Sequence, residues 1–293
     1  MIEDRILPAL HARLSTALAP PSVPLVRFEA DAVLVGELTE PRARRLAAFA
    51  EIFDVDARRV TFVPRCASID ARTSAMDRVA RTLSAEGALS AWRDERYEVR
   101  AHDAAPPAFL LERAAARYFG IRTRAVHVNG LVDTGTGAAM WIARRSPTKA
   151  IDPGMLDNLV GGGIAAGATV AQTLAKEAWE EAGIDAATVS SATPAGTIHV
   201  RRLQRDGLQH ETIHVHDLWL SREFVPANQD GEVVEHRRVA LAALPALLVH
   251  GDGPEALTAD ASLVALDALL RLGVLDADAP LHPWLAALCG QGR

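Results

Sequence analysis

The sequence GGGIAAGAT at residues 161–169 leads directly into VAQTLAKEAWEEAGI at residues 170–184. The first stretch has the composition of a glycine-rich loop, and the second has the composition of a helix. Thr169 followed three residues later by Gln172 is a capping-box pattern, and Gly183 is a typical left-handed helix stop. We therefore predict a loop followed by a helix from about Val170 to Ala182.

Three glutamates lie on one side of this predicted helix. At about 100 degrees per residue, Glu177, Glu180 and Glu181 share an arc of roughly 100 degrees. They repel one another, and the helix dipole disfavours negative charge in this half of the helix, by some tenths of a kcal/mol each. A solvated acidic face would be the simplest explanation of the glutamates alone. The adjoining glycine loop instead favours a site for a hard cation such as Mg2+ or Mn2+, which takes oxygen ligands.

The loop and helix resemble the signature of the Nudix hydrolases, Gly-x5-Glu-x7-Arg-Glu-U-x-Glu-Glu-x-Gly-U, where U is aliphatic. The matching positions have the correct spacing and are Gly162, Glu177, Ala178, Glu180, Glu181, Gly183 and Ile184. Two positions differ, because Ala168 replaces the first glutamate of the signature and Lys176 replaces its arginine. In the family, these two residues help to hold the loop and helix around the metal-binding carboxylates.

The flanking sequence resembles one branch of this superfamily, which has an additional N-terminal domain and in some fungi is fused to thiamine pyrophosphokinase. The similar segments are residues 126–130, 140–149, 153–160, 217–220 and 224–233. The resemblance implies an α/β (α+β) fold, in which a Nudix α/β/α sandwich with a mixed sheet follows a smaller α+β domain. We predict the N-terminal domain over residues 1–120 and the Nudix domain, with C-terminal helices, over residues 121–293.

The resemblance also implies roles for individual residues. Glu177 and Glu181 are the first candidates for metal ligands, and Glu180 is the next. Candidate substrate contacts are the glycines that permit close backbone approach and the basic residues that leave a strand just before the loop: Gly162, Gly163, Arg144, Arg145 and Lys149. The catalytic base is left open between Glu180, Glu232 and Glu235.

Composition excludes several classes of function. The net charge of -6 argues against sequence-independent nucleic-acid binding. No stretch reaches the roughly 20 apolar residues of a membrane span, and two cysteines are too few for a disulfide framework or a zinc site. We expect a cytoplasmic protein without a membrane partner, and a homodimer is a common arrangement for such proteins.

Periodicity predicts the elements around the loop. Strands are expected at 123–131 and 138–144 around a turn at 133–137, and again at 196–202 and 211–220. In the N-terminal part we expect helices from Leu89 and over 108–119, with Gly120 as the stop. Helices are also predicted at 238–250, 261–272 and 283–289.

Two functions of different class follow from these patterns. The first is a metal-dependent hydrolase that cleaves the diphosphate linkage of a small metabolite, with oxidised or intact thiamine diphosphate as the class implied by the branch resemblance. The second is a catalytically weak Nudix fold that binds a phosphorylated metabolite or a partner, which Ala168 and Lys176 motivate.

Overall fold

The computed structural model describes residues 3–89 and 92–275. Its helices are α1 (Glu3–Ala17), α2 (Glu40–Leu46), α3 (Ile69–Ala85), α4 (Ala116–Phe119), α5 (Val170–Ala182), α6 (Ala186–Val189), α7 (Leu244–Leu248) and α8 (Ala259–Arg271). Its strands are β1 (Leu25–Ala30), β2 (Val33–Thr39), β3 (Phe53–Val55), β4 (Arg59–Phe62), β5 (Arg96–Val99), β6 (Phe109–Glu112), β7 (Arg122–Asp133), β8 (Ala138–Arg145), β9 (Leu156–Asn158), β10 (Val160–Gly163), β11 (Thr193–Gln204), β12 (Gly207–Leu220) and β13 (Val233–Ala240).

An aromatic cluster forms the centre of the N-terminal domain. Its sheet has the strand order β2-β1-β4-β3, and β5 pairs with β6 as a separate two-stranded sheet. Phe28 on β1 is fully buried, and its ring centroid lies 5.4–6.0 Å from those of four other phenylalanines. These are Phe53, Phe62, Phe109 and Phe119. Aromatic pairs at such distances stabilise beyond the area that they bury, so this cluster joins both N-terminal sheets into one core.

A mixed sheet forms the second domain, with the strand order β11-β12-β7-β8-β13. β7 is parallel to β12 and antiparallel to β8, while β10 and β9 pair with β7 and β8 at one end. Side chains alternate across β7, so Val126 and Val128 pack with Leu174 of α5 while Leu131 packs with α8 on the other face. Helices therefore cover both faces, and the predicted α/β/α sandwich and separate N-terminal domain are confirmed.

Helix α1 comes first in the sequence but packs with the C-terminal helices. Its buried Leu10 and Leu14 belong to the same core as α7 and α8. Arg13 also donates to the carbonyl of Leu257, with an Nη2–O distance of 2.7 Å. These contacts separate α1 from the aromatic core, and the predicted limits of 1–120 and 121–293 stay a prediction.

Three predicted helices differ in part from the structure. Residues 92–95 are not helical and lead into β5. The predicted helix at 108–119 begins with strand β6 and is helical only from residue 113 to α4, and the predicted helix at 238–250 begins with the last residues of β13 and continues as helix to α7. β13 pairs along β8, so inter-strand hydrogen bonds determine the conformation of residues 238–240. The paired strands predicted at 123–131 and 138–144, and at 196–202 and 211–220, are confirmed. The predicted helix at 283–289 lies outside the described residues.

No helix in the part of the chain described by the structure combines the length and the apolar character needed to cross a bilayer.

Gly120 provides a test of the junction between the domains. It ends α4 with φ 55°, and a Cβ there would lie 2.0 Å from the carbonyl oxygen of Glu37. We expect Gly120→Ala to lower the free energy of unfolding by at least about 2 kcal/mol, because left-handed strain and overpacking combine. Urea unfolding checks this. Gly87→Ala is the matched control, since Gly87 has φ 73° but open space around it. Equal losses of unfolding free energy in the two variants would contradict a clash between the added methyl group and the Glu37 carbonyl.

Candidate functional site

The glycine loop lines a cavity where the two domains meet. The N-terminal domain contributes Arg93, Tyr97 and Arg113 to its wall. The second domain contributes glycines, basic residues and carboxylates, among them Gly161, Gly162, Gly163, His127, Arg145, Lys149, Asp152, Asp157 and Asp260. The cavity therefore offers charged groups of both signs beside the backbone of the glycines.

Helix α5 has the ends that the sequence predicted. The Thr169 side chain accepts from the Gln172 N–H at 3.2 Å, and the Gln172 side chain accepts from the Thr169 N–H at 2.9 Å. Gly183 follows the last turn with φ 64°. The capping box sets where the helix begins, and this start sets which turns face β10.

Glu181 is buried at the back of the glycine loop. Its side chain accepts from the Gly161 N–H at 2.8 Å, and the Lys149 Nζ lies 3.4 Å from its other oxygen. Burial raises the pKa of Glu181 to about 8, although Lys149 and the Gly161 N–H oppose that rise. Lys149 and the Gly161 N–H thus do not fully offset the cost of burying the charged carboxylate.

Glu177 lies one turn earlier and packs against Gly162. A Cβ on Gly162 would lie 2.3 Å from the Glu177 Cδ, so only glycine permits this approach. Burial raises the pKa of Glu177, while the Lys176 Nζ, 3.0 Å from its Oε1, opposes the rise. Glu177 lines a neighbouring cavity together with Gly163 and Lys176.

Glu180 is more exposed than the other two glutamates and shares Lys176 with Glu177. Its Oε2 lies 2.6 Å from the Lys176 Nζ, in an exposed pair at i and i+4. Across residues 3–89 and 92–275, no three His, Cys, Asp or Glu side chains converge as a metal-binding group. The three glutamates named by the sequence thus separate into a largely buried pair, Glu177 and Glu181 with 12% and 6% of their side chains exposed, and a more exposed third, Glu180 with 32%.

Glu232 lies on a loop and joins the site through Lys149. The Lys149 Nζ contacts both Glu232 and Glu181, and the Arg93 Nη1 lies 3.0 Å from the Glu232 Oε1. Burial raises the pKa of Glu232, but its bonds to Lys149 and Arg93 outweigh burial, and the net pKa is lowered. Glu232 is therefore ionised at neutral pH. The structure brings this candidate base to the site, and nothing in local sequence spacing identified its partner Arg93.

The neighbouring arginines Arg144 and Arg145 point to opposite faces of β8. Arg145 lines the cavity and pairs with Asp157 at 2.6 Å. Arg144 instead pairs with Glu235 at 2.6 Å and with Glu255 at 2.7 Å, away from the cavity. Strand alternation explains the difference, so the structure does not bring Arg144 or Glu235 to the site that the sequence assigned to them.

The buried pair suits a divalent cation. Mg2+ usually takes one or two protein carboxylates and completes its shell with water and substrate phosphate oxygens. Glu177 and Glu181 are two such carboxylates, and burial raises the pKa of each. Two desolvated carboxylates near one loop are stabilised by a neighbouring positive charge, so these residues fit the hard cation that the sequence predicted.

Comparisons with known proteins agree with this geometry. Residues 122–261 match the model of the NUDIX domain, and residues 21–123 match a domain of unknown function, DUF4743. Nudix hydrolase 24, chloroplastic, of Arabidopsis thaliana is 33% identical over 257 residues, which cover 87% of this chain and 70% of that protein. Nudix hydrolase 20, chloroplastic, of the same plant is 37% identical over 204 residues, which cover 70% of this chain and 54% of that protein.

A crystal structure of DR0079 from Deinococcus radiodurans is also similar. It is 22% identical, with a TM-score of 0.44, and the likeness covers 58% of this chain and 97% of that chain. At that distance, the likeness carries no information about substrate.

The close approach of Gly162 to Glu177 leads to a prediction about metal binding. Gly162→Ala places a methyl group where the Glu177 carboxyl group lies. We therefore expect the affinity for Mg2+ or Mn2+ to fall at least about tenfold, which is roughly the effect of changing a residue that orients a metal ligand. Metal titration followed by thermal shift measures this affinity. Gly251→Ala is the control, because no atom lies within 4 Å of its added Cβ. Unchanged affinity in Gly162→Ala would remove Glu177 from the metal site.

Because its pKa is raised, Glu181 should make the free energy of unfolding depend on pH when a chelator keeps the protein free of metal. Because the folded-state pKa of about 8 exceeds the ordinary 4.5, the folded state binds the extra proton and loses stability as pH rises between these values. The slope is at most about 1.4 kcal/mol per pH unit. Glu181→Gln lacks this loss, so its stability relative to the native chain should increase from pH 5 to pH 8. Urea unfolding at each pH measures the free energy of unfolding of both proteins. If this free energy changes with pH in the same way in both, the burial of the Glu181 carboxyl group is contradicted.

Proposed function

Because this chain belongs to the Nudix hydrolase family, we propose that it is a divalent-metal-dependent pyrophosphohydrolase that cleaves the diphosphate linkage of a small phosphorylated metabolite. The observation that carries the proposal is the largely buried pair Glu177 and Glu181 behind a glycine loop, beside a cavity that holds Lys149 and Arg145. Carboxylates for a metal and cations for phosphoryl oxygens are thus close together, as hydrolysis of a diphosphate requires.

Each side chain has a part in the proposed reaction. Glu177 and Glu181 hold Mg2+ or Mn2+, which when bound neutralises phosphoryl charge and supplies a polarised water. Lys149 and Arg145 bind phosphoryl oxygens, and the backbone of Gly162 and Gly163, which lines the same cavity, contacts the substrate.

Glu232 is the proposed base among the three candidates. It is ionised and joined to the site through Lys149, whereas Glu180 pairs with exposed Lys176 and Glu235 pairs with Arg144. Glu232 accepts a proton from the attacking water as that oxygen bonds to one phosphorus. The bond from this phosphorus to the bridging oxygen breaks, and the second phosphate leaves with that oxygen.

The substrate that we propose to test first is thiamine diphosphate, intact or oxidised, with the monophosphate as product. The similarity of the segments at 126–130 and 224–233 to the branch fused with thiamine pyrophosphokinase supports this choice. ADP-ribose and nucleoside triphosphates are the comparison substrates.

A second candidate function is metabolite binding with little turnover. The Lys176 Nζ contacts both Glu177 and Glu180, which places a protein cation beside the carboxylates proposed to hold the metal. Ala168 also removes a side chain that could support the loop. Tight, metal-independent binding of a diphosphate without product release would favour this function.

Turnover of the native chain and three variants tests the proposal. With Mg2+ or Mn2+, we expect monophosphate release from at least one diphosphate. Glu181→Gln and Glu177→Gln should lower kcat/KM by at least about 100-fold, since metal stabilisation of the transition state is worth several kcal/mol. Glu223→Gln, at an exposed position outside the site, should match the native chain. No metal-dependent turnover, or equal turnover in all variants, would refute the enzymatic function.

A further inference from the structure

The N-terminal domain contacts the glycine loop along β5. The Ala166 N–H donates to the Arg96 carbonyl at 2.7 Å, and the Gly167 N–H is 3.4 Å from the Glu98 Oε1. Between these two bonds, the hydroxyl of buried Tyr97 packs against Gly163, where an added Cβ would lie 2.1 Å from it. Successive residues of one strand thus contact successive parts of the loop.

The loop cannot hold its own position through side chains. Residues 165–168 are Ala, Ala, Gly and Ala, none of which has a side-chain hydrogen-bonding group. Its backbone groups therefore need external partners. Within the described residues, the Ile164 N–H donates to Arg124 and the Ala168 N–H donates to Ala165, while the N-terminal domain supplies the partners of Ala166 and Gly167.

Strand β5 is itself held firmly beside the loop. The guanidinium of Arg113 lies 5.8 Å from the centre of the Tyr97 ring and 2.6 Å from the Glu95 carboxylate. The Arg113 N–H also donates to the Glu95 carbonyl at 2.8 Å. These contacts fix the start of β5, so the loop rests on an ordered surface.

A second contact from the N-terminal domain reaches Glu232. The Arg93 Nη1 lies 3.0 Å from the Glu232 Oε1, and the two residues are 139 positions apart. The backbone of Arg93 is anchored, because its N–H donates at 3.0 Å to buried Glu112. Lys149 binds the other oxygen of Glu232, so this carboxylate is held between one cation from each domain.

We propose that the N-terminal domain is a working part of the active site, whose β5 positions the glycine loop and whose Arg93 positions Glu232. Its consequence for catalysis rests on the proposed function. Arg93 is a positioning residue, because it touches Glu232 and acts on the reaction through that carboxylate. A composite site of this kind explains why the cavity walls come from both domains.

Two variants test the two contacts. Arg93→Gln removes the charge that holds Glu232, and Glu98→Ala removes the acceptor for the Gly167 N–H. The pair Arg45 and Glu86 of the N-terminal domain supplies the controls. Arg45 is 34% exposed, close to the 39% of Arg93, and Glu86 is paired with an arginine, as Glu98 is paired with Arg100. Arg45→Gln and Glu86→Ala thus remove the same groups without touching either active-site loop.

Amide hydrogen exchange of the full chain gives a result that does not depend on turnover. We expect faster exchange over residues 227–233 in Arg93→Gln and over residues 163–168 in Glu98→Ala, and native exchange there in both controls. The exposed pair of Arg93 adds little to global stability, so exchange elsewhere should remain unchanged in Arg93→Gln. Glu98→Ala also removes the ion pair with Arg100, so faster exchange around Arg100 is expected in that variant. Native exchange in both loops, or the same acceleration in the controls, would overturn the proposal.

Kinetics test the consequence for catalysis. We expect Arg93→Gln to lower kcat about threefold to tenfold with KM unchanged, because a misplaced catalytic group slows the chemical step. Arg93→Lys, which keeps the charge, should recover most of the loss. In the Glu232→Gln background the Arg93 substitution should have no further effect. Additive losses would overturn the positioning role, whereas absence of turnover in the native chain would refute only the proposed function and leave the exchange result to decide this inference.

Discussion

The burial of the Glu181 carboxylate against the Gly161 N–H is the contact on which the rest of the site depends. A carboxylate at 5% exposure needs partners, because removing its charge from water is costly. Gly161 supplies one hydrogen bond at 2.8 Å, and Lys149 supplies a nearby charge. Together they require α5 to lie directly behind β10. Gly162 permits this closeness, because any side chain there would displace Glu177.

Lys149 extends that constraint to the rest of the cavity. It contacts Glu181 on α5 and Glu232 on the loop before β13, and thereby joins two segments that are distant in sequence. Arg93 adds the N-terminal domain to the same chain of charges. Each exposed pair alone would add little stability, but Lys149 is itself almost fully buried, with 9% of its side chain exposed, and so desolvates the contacts around it. The arrangement gives the two domains one shared site.

The departures from the Nudix signature have different structural consequences. Lys176 is 56% exposed and pairs with Glu177 and Glu180, so solvent screens the pair and a divalent cation competes with a weak partner. Ala168 leaves the glycine loop without a carboxylate of its own, and two contacts from β5 lie along this same loop, one from the Arg96 carbonyl and one from the Glu98 carboxylate. Lys176 thus affects how tightly the carboxylates hold a cation, and Ala168 affects which groups hold the loop in place.

The sequence by itself determined the loop, the capped helix α5, its stop at Gly183 and the strand pairs around them, because these follow from local periodicity and turn chemistry. It also identified the residue types of the site and their family. Only the tertiary structure separated Glu180 from the buried pair, placed Arg145 in the cavity and Arg144 outside it, and joined Glu232, but not Glu235, to Lys149 of the cavity, because burial and strand faces depend on packing. For the same reason β6 and the end of β13 are strands at the beginning of two segments for which the local pattern predicted helices. The contact of Arg93 with Glu232 spans 139 positions, and no local pattern encodes an ion pair across two domains.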